Sequence, residues 1–370
     1  MQQLLASSVL STIGSVLLAL LILLIMITIH EFGHYLAGKA LGFQINEFAI
    51  GFGPKLFHRK SKKSGEEFSV RLLPLGGFCA FAGEDSEEDR SNQRAFNNRA
   101  PWRRILVLLA GATMNYLLAL VIIFISFSAY GQMFYQVKGV VQDDTYEVSY
   151  SLQADDVIMQ AEGRDFYLVT DLMKALNGKK EGDTAHLTVE RLGERMQVEV
   201  VLRSDCNFEN ANQASKLWKA LGVDTVERDG SVYYNLGTVS ERLSFGEVLG
   251  HGIVYSGKIA STIFTVLGQL LTGKLGVSTL GGPVTTIKIT SEAASKGLQS
   301  FLEIAAFIGV NLAVFNLLPI PALDGSKVIF CLIEWIFKKP VPRKIEAIIH
   351  AVGFFLILGL AVLVDILQFV

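Results

Sequence analysis

Charge and sulfur are both scarce in this chain. Of its 370 residues only 18% are Asp, Glu, Lys or Arg, against 51% hydrophobic, a balance too apolar for an ordinary soluble enzyme. There is no surplus of cations: 33 Lys and Arg face 35 Asp and Glu. That removes the electrostatic footprint of a nucleic-acid binder, which must displace counterions from phosphates. The three cysteines, Cys79, Cys206 and Cys331, lie far apart with no CxxC among them, so neither a disulfide framework nor a thiolate zinc cluster is on offer. Any metal here has to use histidine and carboxylate, and there are only six histidines.

The apolar residues are clumped. Residues 12–29 carry no charge, nor do residues 105–130, and each run is long enough to cross a hydrocarbon core of about 30 Å at about 1.5 Å per residue. Runs at 304–323 and 347–364 have the same character apart from His350. Four transmembrane helices are therefore expected. The first run has no basic residue ahead of it and leads into HEFGH instead of a small-residue cleavage site, so it reads as a retained span and not a secretory signal.

Charge then sets the orientation. Residues 39–104 hold 12 Lys and Arg, and the short connection 326–346 adds Lys327, Lys338, Lys339, Arg343 and Lys344; the positive-inside rule puts both on the cytoplasmic side. Residues 131–240 hold 11 Lys and Arg but 18 Asp and Glu, and this acidic block is expected outside, with both termini. Cys206 would then be separated by the bilayer from the other two cysteines.

Within the block, 136–141, 156–163, 185–193 and 196–203 read as strands and 171–178 as a helix closed by Gly178. That fits a small α+β domain of PDZ-like type. The following stretch, 245–272, is moderately apolar but contains Glu247, His251 and Lys258. It reads either as a fifth span or, preferably, as an amphipathic helix in the outer interface, since a fifth span would turn the basic loop 326–346 outward. The fold class is thus a polytopic α-helical membrane protein with four spans and one extracytoplasmic α+β domain. Its expected divisions are 1–130, 131–205, 206–300 (a linker with the amphipathic helix) and 301–370.

The chemistry begins at His30, Glu31, Phe32, Gly33, His34. Histidines at i and i+4 stand on one face of a helix and chelate one divalent ion, with the intervening glutamate placed to take a proton from water. By chance this chain's composition yields the pattern roughly 0.005 times. Ionisable groups at the end of an apolar helix are costly, and survive there when paired or functional. The bland alternative is a polar end to the span.

Two histidines leave a hydrolytic metal one protein ligand short. The basic loop supplies no credible third, so it must come from another span. Asn316 to Gly325, NLLPIPALDG, brings a carboxylate, Asp324, behind two prolines that cannot sit in a helix interior. Irregular backbone at membrane depth is tolerated only where protein buries it or it lines a watery cavity. Asp324 is either that ligand or a cap at the exit of the span. His251, His350, His58, His186 and Asp365 read as packing, interfacial or exposed groups, and Glu334 with Trp335 as an interfacial anchor.

HEFGH in the first span and NLLPIPALDG in the third resemble the two signatures of the site-2 protease family of intramembrane zinc metalloproteases, in its bacterial form with a single PDZ domain. FSVRLLPLGGF at 68–78 is similar to the family's membrane-associated β-hairpin segment, and LGGPV at 280–284 also runs in family order. The chain departs from the family at Ser326 (where a second Gly is common), at Ala112 (commonly Pro), and at Asp155-Asp156 in place of a Gly-Asp turn. No GLGF-type carboxylate loop is present.

The resemblance implies one Zn2+ held by His30, His34 and Asp324, Glu31 as general base and acid, and Asn316 as a contact to the substrate backbone. It implies a bacterial cytoplasmic-membrane enzyme cleaving single-span membrane proteins after a first cut by a site-1 protease. A substrate helix must unwind before attack, and an added strand on an exposed β-edge would replace its lost hydrogen bonds. Residues 68–78, with Leu72, Leu73, Pro74, Leu75, Gly76 and Gly77 as contacts, are the candidate edge; the alternative is plain hairpin packing. A catalytically silent PDZ scaffold and a membrane metal transporter are the rival functions. Glu31 argues against the first, and the lack of internal repeats against the second.

Overall fold

The structure, a computed structural model, describes residues 2–84, 91–141, 151–210, 213–228, 231–276 and 280–369. In chain order they form α1 (Gln2–Ala40), β1 (Ile45–Lys60), β2 (Glu67–Phe81), α2 (Pro101–Tyr130), β3 (Gln132–Val137), β4 (Val157–Ala161), β5 (Arg164–Asp165), α3 (Val169–Leu176), β6 (Thr184–Arg191) and β7 (Glu194–Val201). There follow α4 (Ala214–Ala220), β8 (Thr225–Arg228), β9 (Ser231–Tyr234), β10 (Leu236–Glu241), α5 (Phe245–Leu271), α6 (Pro283–Lys296), α7 (Leu298–Leu317), α8 (Asp324–Phe337) and α9 (Arg343–Phe369). Two compact units result, residues 1–123 with 277–370, and residues 124–276.

Five helices are long and apolar enough to cross a membrane: Thr12–Ala40, Pro101–Tyr130, Phe245–Leu271, Leu298–Leu317 and Arg343–Gln368. The four uncharged runs each become one of them, and α5 is the fifth. Their backbones satisfy themselves internally, as hydrocarbon requires. On α9, Phe355 and Leu356 are both 68% exposed; a face like that is unstable in water and at home in lipid. The chain is a multi-pass membrane protein.

In the first unit α1 and α7 run in the same direction and α2 against them. Met26 of α1, Ala119 of α2 and Gly309 of α7 meet at one level, and a Cβ on Gly309 would lie 3.0 Å from Ala119 and 3.3 Å from Met26. Further along α1, His30 reaches Asn316 of α7, while His34 reaches Val107 of α2. α7 stops where the prolines demand it. Leu318 is already extended, as a residue preceding proline tends to be, and the helix resumes only at Asp324. The stretch 326–346, expected as a basic loop, is mostly α8. Its Glu334, expected as an interfacial anchor, is instead ion-paired with Arg104 of α2, which is 3% exposed.

β1 and β2 are each bent into two segments. The partners run Ile45↔Phe81 to Ile50↔Gly77, Glu47↔Glu67 to Ile50↔Val70, and Lys55↔Arg71 to Lys60↔Glu67. The lateral order is therefore 77–81, 45–50, 67–70, 55–60. Phe68, Ser69 and Val70 have strands on both sides, so the expected edge at 68–78 is corrected: only its last residues, Gly77 and Phe78, lie on an edge, and that edge runs on to Phe81.

In the second unit five strands follow the order β10-β3-β4-β6-β7, with β5 paired to β4; β4, β6 and β7 fall on expected strands, β3 lies four residues ahead of the expected 136–141, and β5 and β10 are additions. Ile158, Leu172, Leu176, Leu187 and Leu217 fill its core. Asp155, standing where the resemblance implies a turn glycine, adopts φ +70, and Asp156 is fully buried and gripped by Arg191 at 2.7 and 2.8 Å. His251 of α5 bonds Gln132 of β3 at 2.7 Å, a packing role as expected. β8 and β9 form a separate hairpin.

Candidate metal centre

α1 carries His30, Glu31 and His34, and both imidazoles are buried. Two glycines let α2 come close enough to frame them. A Cβ on Gly33 would lie 2.4 Å from the Ala110 carbonyl oxygen, and one on Gly111 would lie 2.5 Å from His34 Nε2 and 2.8 Å from His30 Cε1. At this distance His34 Nδ1–H donates to the Val107 carbonyl at 2.8 Å, which leaves Nε2 with a lone pair directed inward.

Asp324 enters at the first residue of α8. Gly325 allows it: a Cβ there would sit 2.2 to 2.4 Å from the carbonyls of Leu318 and Leu317. The preceding loop is strained and clamped. Ala322 stands at φ +79, a left-handed conformation unfavourable for a residue with a side chain. Its N–H donates to His350 Nδ1 of α9 at 3.1 Å, so His350, expected as a packing histidine, braces the metal loop. Gly353 lies against Pro321 with no room for a Cβ.

The three groups converge. Asp324 Oδ2 lies 3.0 Å from His30 Nε2 and 3.2 Å from His34 Nε2, and the two Nε2 atoms are 3.1 Å apart. Donors about 2.0–2.1 Å from a tetrahedral Zn2+ are themselves separated by roughly 3.3 Å. Asp324 Oδ2 is buried without a hydrogen-bond partner. Lone pairs on two imidazoles and a carboxylate facing one point repel one another unless a cation sits among them, so these residues fit zinc. Asp324, expected as the third ligand, stands within 3.0–3.2 Å of both imidazoles.

Glu31 is held from the other side. Its Oε2 accepts the backbone N–H of Cys79 at 3.0 Å, and Gly77 passes 3.6 Å from its Cγ as measured from a hypothetical Cβ. Burial, with the Glu31 carboxylate second, holds the Cys79 thiol well above the usual thiol range. All three cysteines are free and buried. Asn316 lies behind His30, its side-chain amide 3.5 Å from Nδ1; turned over, that amide offers its oxygen to Nδ1–H. Leu72, Leu73 and Pro74 are exposed at the sheet's tip, and Gly76 packs against Phe52. The side chain of Leu75 lies outside the described residues.

A cavity of about 290 Å³ opens beside these groups, lined by Glu31, His34, Asp324 and the strand 78–81, and reaching Glu84 and Lys327. The Cys79 amide, the Val107 carbonyl, His350 and the close-contact glycines were not legible as site residues. Main-chain donors leave no trace in side-chain patterns, and Gly111 becomes meaningful only once α2 is laid on α1.

Residues 18–360 match the profile of Peptidase family M50. The chain belongs to this family. Relatives of the M50 chain span its whole length. One from Clostridium perfringens is 34% identical over 95% of this chain and 97% of its own; one from a Nostoc species is 31% identical over 94% of each; one from Agrobacterium fabrum is 27% identical over 94% of each. Each bears the name "Putative zinc metalloprotease". This M50 protein is a zinc metalloprotease of the site-2 protease type.

Proposed function

We propose that the enzyme is an intramembrane endopeptidase of the bacterial cytoplasmic membrane that hydrolyses peptide bonds within the spans of single-span membrane proteins, after a site-1 protease has shortened their outer part. The observation carrying this reading is the convergence within 3.0–3.2 Å of His30 and His34, on a helix of membrane-spanning character, with Asp324, at the start of α8 just beyond a second such helix, α7.

Zinc held by these three residues would polarise the peptide carbonyl and make an adjacent water acidic. Glu31 takes the proton from that water and passes it to the leaving amine, while the Cys79 N–H keeps its carboxylate aimed. His34 is fixed by Val107 and His30 by Asn316, so the ligands need no rearrangement. The unwound substrate is read as a strand added along 77–81, the edge facing the cavity, where Gly77 keeps its role and Leu72 to Gly76 become flanking tip residues. Asn316 acts chiefly behind His30.

Helix direction supports four spans. Because α1 and α7 are parallel and α2 opposes them, α2 ends on the side of the membrane where α7 begins. The intervening chain must cross an even number of times. α6, at 14 residues, is about 21 Å long and too short for a hydrocarbon core of about 30 Å, so α5 cannot cross alone and lies in the outer interface. The acidic block 131–240 is then extracytoplasmic. It is read as a PDZ-like size filter and not a receptor for free C-termini, since β10 pairs with β3 along six residues and takes that edge of the sheet. The divisions 1–130, 131–205, 206–300 and 301–370 are kept as a proposal, with Leu217 and β10 of the third segment joining the core and sheet of the second.

The test uses purified protein and a single-span substrate. Glu31→Gln is expected to keep zinc while cleavage falls about 100- to 10,000-fold, the range of a lost general base. Cleavage unchanged by Glu31→Gln would contradict the assignment, and metal flux into vesicles that survives the substitution would favour the transporter.

A further inference from the structure

The far wall of the metal cavity carries an ion pair that the hydrolytic steps leave unused. Lys327 Nζ donates to Glu84 Oε1 at 2.8 Å, with the side chains 32% and 17% exposed. Lys327 is three residues beyond Asp324 on α8, so it shares a helix face with the metal ligand. Among the described residues lining the cavity it is the one lysine or arginine. Glu84 follows directly on the sheet whose edge, 77–81, borders the same space.

Hydrolysis changes the charge in this cavity. A neutral peptide bond enters. The carbonyl carbon gains the oxygen of water, the C–N bond breaks, and both protons of the water end on the departing nitrogen, so that at neutral pH one fragment gains a carboxylate and the other an ammonium. Apart from Lys327 and the metal-facing His34, the described residues lining the cavity are acidic or apolar. A new carboxylate next to Glu31 and Asp324 is repelled by both, whereas Lys327 can accept it by exchanging one carboxylate partner for another. Such an exchange costs little, because the lysine is never left unpaired.

We propose that Lys327 binds the newly formed C-terminal carboxylate of the N-terminal fragment, with Glu84 holding the lysine in reserve before the cut. The pair is thus a product-binding device on the part of the cavity wall formed by Glu84 and Lys327. The inference rests on the protease reading above and assigns the site a preference for peptides ending in a free acid.

The experiment uses full-length protein carrying Glu31→Gln, stripped of zinc by a chelator so that the metal itself contributes no carboxylate affinity. A fluorescent apolar peptide of about ten residues ending in a free carboxylate is titrated beside its C-terminal amide. The acid is expected to bind about 5-fold more tightly, the scale of a partly exposed ion pair. Lys327→Met is expected to erase that preference without changing affinity for the amide, Lys327→Arg to keep it, and Glu84→Gln to widen it by removing a competing carboxylate. Equal binding of acid and amide, or a preference that survives Lys327→Met, overturns the proposal. Should Lys327→Met lose amide binding as well, Glu84→Gln decides, and a preference left unchanged by it overturns the proposal. Wild-type cleavage is scored separately: cleavage without acid preference refutes this inference alone, while no cleavage of any single-span substrate refutes the protease reading.

Discussion

The amide hydrogen of Ala322 points at His350 from a backbone at φ +79, two residues before the aspartate that completes the metal site. Removing the acceptor orphans a buried donor, at a cost of about 1–3 kcal/mol. If the strained loop relaxes, Asp324 swings away from the imidazoles. His350→Ala is accordingly expected to weaken zinc binding about 5- to 100-fold, measured by competition with a chelating dye. His350→Gln, which retains an acceptor, is expected to recover most of the loss. Equal zinc affinity in all three proteins would show that the contact is incidental. That His30, Glu31, His34 and Asp324 would be brought together was legible in the sequence because metal chemistry restricts which residue types can serve. His350 was not, since a single imidazole on an apolar helix carries no pattern; nor was Asp365, which accepts the N–H groups of Val284 and Thr285 at 3.0 and 3.2 Å and caps α6 instead of meeting lipid headgroups.

At the scale of elements, the long uncharged runs announced their helices, and Pro319 and Pro321 announced where α7 must stop. β1 and β2 were harder. Alternating residues identify a strand but not its neighbours, and the bend that makes each strand serve twice depends on Gly51, whose φ is +86 and whose Cβ would meet the Leu73 carbonyl at 2.6 Å. The buried position of 67–70 and the free edge at 77–81 follow from that fold-back. A photocrosslinking residue at Ala80 is therefore expected to trap a single-span substrate in the Glu31→Gln protein, and one at Ser69, 4% exposed, is not. Crosslinks at Ser69 with none at Ala80 would restore the edge first read from the sequence. α8 escaped notice because its five-residue basic surroundings masked a helix whose apolar face, including Cys331, packs inward.

For the whole molecule, the acidic block between basic connections carries the proposed orientation, and the parallel course of α1 and α7 requires only that their C-terminal ends share one side of the membrane. Single cysteines replacing Ser244 and Thr272, at the two ends of α5, are both expected to react with a membrane-impermeant maleimide added from outside the cell. Labelling of one end from outside and the other only after permeabilisation would make α5 a span, and would require a second crossing before α7. What no sequence pattern could supply was proximity: residues 34 and 324 meet only because helix packing, set by Gly33, Gly111, Gly309 and Gly325, brings α1, α2 and α7 within backbone distance.

Zinc-edge X-ray absorption on the purified protein tests this most directly. The expected spectrum has imidazole nitrogens and carboxylate or water oxygens at about 2.0–2.1 Å and no sulfur shell near 2.3 Å, with the signal lost or rearranged in Asp324→Ala. A sulfur shell, or a spectrum indifferent to Asp324→Ala, would contradict a centre built from His30, His34 and Asp324.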